Sequence, residues 1–428
     1  MKRNGRTPAC FTVLPAILVF LSCATPPYSV NTARTVPEDF FGASPYKRGG
    51  VGPEDFELLD RQGVIWMRRD CSWNILEPEP GKWDFSSWDV YVDDSKAAGK
   101  KLIAILAYDA PWLNSEKSIA PEDLPHYLNY VEKVVTRYKG RIDAYEIWNE
   151  PNINRFWKRS DKDFFTLSGA AAQLIRRIDP GARILAGSLV RAPSGYARRL
   201  FKSGAMDYAD ALSFHPYAMN PGGSVRLYDK LAKLTAEFDF PGELWITEVG
   251  YPTGGWYPSM VLEKNFPRDI VKTLAGFAAR EVRVLSWFEF KEDYNKGEAP
   301  SRLNSEYYFG LLHYDRSPKN GFEAYGLCAR HLAGTEYRPD WPLRRNLPGR
   351  TVALGFKGPG GENTLIIWNE WGGAVPALLT LPGGEQCRWD ISSGEGRPLG
   401  AVTEISIGKT PLFFTWKGDA PSLEPRRR

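Results

Sequence analysis

The stretch Ala144-Tyr145-Glu146-Ile147-Trp148-Asn149-Glu150-Pro151-Asn152 runs from apolar and aromatic residues straight into a turn that carries a carboxylate. It reads as a short buried strand that delivers one acid to its carboxyl end, because Asn and Pro favour the turn that follows. Other apolar or β-branched runs share this form, so that candidate strands fall at 40–42, 64–68, 102–106, 144–148, 183–186, 211–214, 244–247 and 284–288. Amphipathic stretches separate them. Apolar residues recur at helical spacing at Leu128, Val131 and Val135 within 124–138, and at Leu167, Ala171 and Leu174 within 163–178, while 54–62 precedes the second run. Strand and helix alternating eight times specify an α/β fold of the (β/α)8, or TIM, barrel type rather than a doubly wound sheet. No GxGxxG follows the first strand, which argues further against dinucleotide binding.

Beyond about Trp341 the helical spacing ends. Short strand-like runs at 351–356, 364–368, 377–381 and 411–416, punctuated by Gly-Pro-Gly-Gly and Pro-Gly-Gly, specify a C-terminal antiparallel β-sandwich packed on the barrel, with room for a strand from the amino-terminal side. At the other end, Lys2, Arg3 and Arg6 precede an apolar run at 11–21 and then Ser22-Cys23, the layout of an export signal too short to span a bilayer. The segment resembles a bacterial lipoprotein signal, in which the cysteine is lipidated and becomes the first mature residue. Phe20 stands where such signals usually carry Leu, and ordinary secretion is the alternative. The chain therefore divides into a signal peptide at 1–22, a tether at 23–37, the barrel at 38–338, an accessory β-domain at 339–418 and a tail at 419–428.

A chain of 428 residues with 43% hydrophobic, 25% charged and 13% aromatic residues buries a substantial core, which excludes disorder and coiled coil. Lys and Arg number 55 against 51 acids, but removing Lys2, Arg3 and Arg6 leaves 52, and Arg426, Arg427 and Arg428 cover the remaining excess. No basic stripe is left for nucleic acid. Cys71, Cys328 and Cys387 are widely spaced with no CxxC, and His126, His215, His313 and His331 are scattered without metal-ligand spacing, so neither a metal nor another cofactor is expected.

Barrel enzymes place reacting groups at the carboxyl ends of their strands. The fourth run ends in Asn149-Glu150-Pro151 and the seventh in Thr247-Glu248. Carboxylates from strands three apart face each other across the mouth, as hydrolysis of a glycosidic bond requires: one protonates the leaving oxygen while the other attacks or activates water. The second run continues Arg68-Arg69-Asp70-Cys71-Ser72-Trp73, the sixth ends His215-Pro216-Tyr217, and the eighth contains Ser286-Trp287-Phe288-Glu289. In this order these elements resemble the clan A retaining glycoside hydrolases. Ile75-Leu76-Glu77-Pro78 and Phe309-Gly310-Leu311-Leu312 continue the likeness, which spans Phe40 to about Gly334. Within the clan, the residues around Glu150 and the following β-domain look most like family 39, a family of β-xylosidases, iduronidases and bacterial exopolysaccharide endoglycosidases; families 5 and 51 share much of the pattern.

The resemblance implies a glycosidase cleaving β-glycosidic bonds of an extracellular or cell-surface polysaccharide or oligosaccharide by double displacement, without a cofactor. It implies Glu150 as general acid/base and Glu248 as nucleophile, Asn149 on the sugar 2-hydroxyl and Arg68 in support of the nucleophile. His215 and Tyr217 would shape the pocket, and Trp287 would floor it. Trp73 and Trp112 follow strand ends and are candidate stacking faces for sugar rings. By contrast, Glu146 reads as an ion-pair partner, Cys71 as packing, and Glu370 in Trp368-Asn369-Glu370-Trp371 as structural, since that near-copy of the motif has no partner acid. A transglycosylase on the same scaffold, or a surface carbohydrate-binding protein without turnover, are the competing readings.

Overall fold

The computed structural model describes residues 28, 30–45, 51–113, 118–256, 260–293, 303–343, 347–348 and 350–426. The segment read as an export signal, with Cys23, lies outside them. Eight parallel strands form a closed barrel in chain order: Phe41–Ala43, Trp66–Asp70, Lys101–Leu106, Ala144–Ile147, Arg183–Val190, Ala211–His215, Glu243–Val249 and Val282–Trp287. Closure comes from Phe41 and Ala43 pairing with Leu285 and Trp287. Each candidate run overlaps one of these strands. Helices cross back between them, with Leu124–Arg137 and Asp161–Ile178 falling where the apolar spacing puts them; Ser160 starts the second by accepting from the Asp163 N–H at 3.2 Å.

Side chains alternate between the two faces of a strand, so the inward set is fixed by register. Trp66, Ile103, Ala144, Leu185, Ala211, Trp245 and Val284 form an apolar plug in the lower barrel, with Trp66 and Trp245 meeting edge to face at 5.0 Å. Two residues further along their strands stand Arg68, Glu146 and Thr247, all buried. A charged layer thus rests directly on a packed apolar one, which leaves no soft volume beneath the mouth.

The carboxyl-terminal region is a β-sandwich. One sheet orders Arg34–Thr35, Glu336–Tyr337, Thr351–Lys357, Glu362–Asn369, Leu412–Lys417, Gly384–Trp389 and Gly396–Pro398; the other orders Val402–Ile407, Val375–Thr380 and Ser422–Pro425. The central strands of the larger sheet are buried on both faces. Leu365, Ile367 and Phe414 pack toward the smaller sheet, whereas Ile366, Trp368 and Phe413 join the main barrel core. Three boundaries read from sequence need correction. The barrel ends too late, because Glu336–Tyr337 already pairs in the larger sheet. The tail begins too early, because Ser422–Pro425 pairs along Val375–Thr380 as an edge strand. The tether ends too late, because Tyr28 is buried edge-on against Trp368 at 4.8 Å and Arg34–Thr35 pairs with Glu336–Tyr337.

His331 seals this junction between the rings of Trp389 and Phe413, at 4.9 and 5.7 Å between centroids. Neither ring nitrogen has a hydrogen-bond partner. Burial, assisted by Arg330, lowers its pKa from 6.5 to about 4; Glu362 stands 3.7 Å away but is half exposed, so solvent screens its opposing pull. As pH falls below 6.5 the unfolded chain takes up this proton first, so stability declines between pH 6.5 and 4 and this contribution levels off below. We expect about 3 kcal/mol of stability to be lost across that window. Urea unfolding at a series of pH values checks this: His331→Phe should lose that part of the slope, and an unchanged slope refutes the assignment.

Candidate active site

The site is organised around one guanidinium. Arg68 is buried, and its Nε donates to Glu146 Oε2 at 2.6 Å, its Nη1 to Glu248 Oε1 at 2.5 Å and its Nη2 to Asn149 Oδ1 at 3.0 Å. Burial alone would favour the neutral form, but Glu146 and Glu248 more than reverse that and hold Arg68 protonated. Glu146 also accepts from Thr247 Oγ1 at 2.8 Å, which fixes it as an ion-pair partner inside the barrel rather than against a helix.

Glu248 lies at the end of the seventh strand. Tyr217 donates to its other oxygen at 2.8 Å. Burial pushes this carboxyl up, yet His215, Arg68 and the hydrogen bonds from Tyr217 and Arg68 outweigh it, so its pKa sits below the usual carboxylate range. The Tyr217 hydroxyl is itself raised, first by burial and then by Glu248 and Glu150, and so remains a donor. Glu150 reaches the mouth through a turn in which Trp148 and Glu150 take left-handed backbone, at φ 67° and 47°. Trp148 pins that turn: its Nε1 donates to Phe156 O at 2.9 Å and its ring packs edge-on to Trp157 and Tyr108. The Glu150 N–H donates to Ser188 O at 2.9 Å, and Glu150 Oε1 meets His215 Nδ1 at 2.8 Å.

Glu150, His215 and Glu248 each present an atom within 4.8 Å of the others. Among the described residues this is the grouping of His and carboxylate side chains with metal-ligand spacing, but its atoms already serve one another: Arg68 and Tyr217 occupy both oxygens of Glu248, and Glu150 engages His215. The cluster opens into a cavity of about 980 Å3, whose wall includes Tyr108, Phe156, Phe288 and Phe309. Its size is at the upper end for a ligand site, and its aromatic faces suit the C–H faces of sugars.

The structure thus brings Arg68, Asn149, Glu150, His215, Tyr217 and Glu248 together. Three aromatic expectations fail. Trp287 is fully buried, packed between Tyr251 and Phe266 on the outer side of its strand, because Val284, Ser286 and Phe288 take the alternating inward positions. Phe288 faces the cavity instead. Trp73 stacks on Tyr130 at 5.2 Å and donates to Glu77 Oε2 at 2.7 Å, and Trp112 lies edge-on to Trp73 while donating to Glu77 O at 3.1 Å. Both brace the loops and neither lines the cavity. The residues that reasoning from sequence left without a site role are Thr247, Phe156, Phe288 and Arg191; strand alternation could have found Phe288.

No family model matches the chain. The sequence is 28% identical over 131 residues to endo-1,4-beta-xylanase A of Phanerodontia chrysosporium and 28% identical over 134 residues to endo-1,4-beta-xylanase C of the same organism, in each case over 28% of this chain. These matches span about a third of the xylanases' length, 32% and 33%. Among solved structures, a family 39 glycoside hydrolase from Bacteroides cellulosilyticus superimposes with a TM-score of 0.75 at 20% identity, covering 89% of this chain and 81% of that one. A monomeric beta-xylosidase from Caulobacter crescentus gives 0.64 at 14% identity over 92% and 97%, and a family 39 enzyme from Xanthomonas axonopodis pv. citri gives 0.63 at 14% over 92% and 96%.

Replacing Arg68 by Met keeps much of the volume and removes the charge. The variant buries Glu146 and Glu248 without their cation, and we expect about 3–5 kcal/mol lower stability by chemical denaturation. A loss below about 1 kcal/mol would mean the network carries little charge. The chain shares its fold, a closed parallel barrel with an attached β-sandwich, with solved structures of family 39 glycoside hydrolases.

Proposed function

We propose that the protein is a retaining glycoside hydrolase acting on β-linked polysaccharide or oligosaccharide outside the cytoplasm. The observation that carries this is the pair Glu150 and Glu248, with oxygens within 4.8 Å across the mouth of the cavity. Retaining enzymes hold their two carboxyl groups about 5 to 5.5 Å apart, and inverting ones about 6.5 to 9.5 Å, so as to admit a water between them. The names of the partial relatives and of the structural neighbours support β-linked glycans as substrates.

In the first step Glu248, as carboxylate, attacks the anomeric carbon; the bond to the leaving oxygen breaks and Glu150 gives that oxygen its proton. In the second, water attacks the same carbon, yields a proton to Glu150 and releases Glu248. Asn149, oriented by Arg68, supplies a donor toward the sugar. Thr247 has one hydroxyl proton and spends it on Glu146, and His215 Nε2 lies 3.1 Å from Thr247 Oγ1 and 3.4 Å from Arg68 Nη2. On its other side His215 Nδ1 meets Glu150 Oε1 at 2.8 Å, a contact that places a proton-exchanging group against Glu150. A binder without turnover has no use for a second carboxylate on the opposite face.

Glu150→Gln and Glu248→Gln are each expected to lower kcat on glycan substrates by about 10²-fold or more. Proton NMR of the first-formed anomer should show retained configuration; inversion, or full activity in either variant, overturns the reading. The layout before Cys23 supports export with a lipid anchor on that residue. Labelled palmitate should enter the wild-type chain during expression in a lipoprotein-processing bacterium and not Cys23→Ala, and equal absence from both refutes the anchor.

A further inference from the structure

Outside the Arg68 cluster, the cavity wall carries three cations, Arg69, Arg155 and Arg191, against two carboxylates, Asp70 and Glu306. Arg69 lies over the Tyr91 ring at 4.8 Å, and Arg155 lies over Phe156 at 5.3 Å with Glu306 3.7 Å away. Arg191 is different. It is exposed, and among the described residues no carboxylate comes within 4.0 Å of its guanidinium.

Its backbone is held in place. The fifth strand slips register against the sixth between Ala186 and Leu189, and Gly187, Ser188 and Arg191 all take positive φ, at 98°, 43° and 62°. Such a conformation is uncommon for a residue other than glycine and is retained where surrounding contacts enforce it. Those contacts are visible: the Arg191 N–H donates to His215 O at 2.8 Å, and the Asn152 side chain grips Val190 through both its N–H, at 2.9 Å, and its carbonyl, at 3.2 Å. The same strand end receives the Glu150 N–H at Ser188 O. The backbone that carries Arg191 is therefore held at the cavity wall, and its guanidinium, with no carboxylate within 4.0 Å among the described residues, lines the same cavity as Glu150.

Resting on the hydrolase reading above, we propose that Arg191 binds an anionic group on the leaving-side sugar, so that the substrate is an acidic glycan bearing uronate carboxylates. The planar guanidinium fork matches a carboxylate with two parallel hydrogen bonds, and among the described residues it has no paired acid to displace. A sulfate ester presents the same anionic oxygens.

The test uses binding as well as turnover. Uronate-rich polysaccharides, each paired with its carboxyl-reduced form, and sulfated ones, each paired with its desulfated form, are titrated by calorimetry against Glu248→Gln, and their hydrolysis by the wild-type enzyme is followed by reducing-end release. Uronate forms should bind about 10- to 100-fold more tightly than their reduced partners, with the ratio shrinking as salt rises. Arg191→Asn, which suits the left-handed backbone, and Arg191→Glu in the Glu248→Gln background should bring the ratio to one or below. A misfolded variant would weaken both members of a pair alike, so the ratio separates the two effects. Equal binding within every pair, binding to none, or a preference that survives in both Arg191 variants overturns the proposal. A preference confined to sulfated glycans upholds the anion site and overturns uronate as its ligand. Arg191-dependent binding with no sugar release by the wild type overturns hydrolysis and leaves the anion site standing, whereas equal turnover of acidic and neutral forms does the reverse.

Discussion

A guanidinium cannot shed its proton, so Arg68, placed inside the barrel, obliges the surrounding residues to neutralise it in place. Two carboxylates and one amide oxygen do so: Glu146, Glu248 and Asn149 take its Nε, Nη1 and Nη2. The planar fork fixes their directions as well as their charge. Three residues from two strands, the fourth and the seventh, are thereby set relative to one another by a single side chain. Such an arrangement is a poor way to gain stability, since an apolar core of the same volume would do as well or better. Its return lies in pre-organisation. Glu248 is kept ionised and aimed, and Asn149 is turned toward the cavity, before any substrate arrives.

The barrel was legible in the sequence because its strands are buried on both faces and so stand out as near-continuous apolar runs, each interrupted by a helix with its own 3.6-residue period. The acids were legible for a related reason: they end those runs, where a charge has no packing purpose. The aromatic residues were not. Trp287 and Phe288 are adjacent, and only the register of the eighth strand, set by Val284 in the plug, decides which enters the cavity. Trp73 and Trp112 follow strand ends as a sugar platform would, yet both indole N–H groups are spent on Glu77. In each case the residue type suited two jobs, and tertiary contacts made the choice.

The sandwich shows the complementary limit. Its strongest strands, Glu362–Asn369 and Leu412–Lys417, are covered on both faces and were visible as apolar runs. Gly384–Trp389, Gly396–Pro398 and Ser422–Pro425 are exposed along much of their length and carry Glu, Gln, Arg and Pro where an inward pattern would help. Gly396–Pro398 and Ser422–Pro425 lie at sheet edges, and Gly384–Trp389, though paired on both sides, also has much of its surface in water, so none of them needs a repeating apolar pattern. Arg34–Thr35 is too short to carry any period, and it is held by pairing with Glu336–Tyr337 rather than by its own composition.

The charge count of the buried cluster links the Arg68 network to the proposed chemistry. Arg68 contributes one positive charge, and Glu146 and Glu248 one negative charge each, so these three sum to minus one before Glu150 and His215 are considered. An ionised Glu150 adds a further negative charge within 4.8 Å of Glu248. Like charges this close inside a protein oppose one another strongly. In the proposed double displacement Glu248 loses its charge while it is esterified, and Glu150 can then stand as carboxylate opposite it without that repulsion. On that reading the residue that donated the proton is free to accept one from water, and the switch from acid to base follows from the loss of one charge.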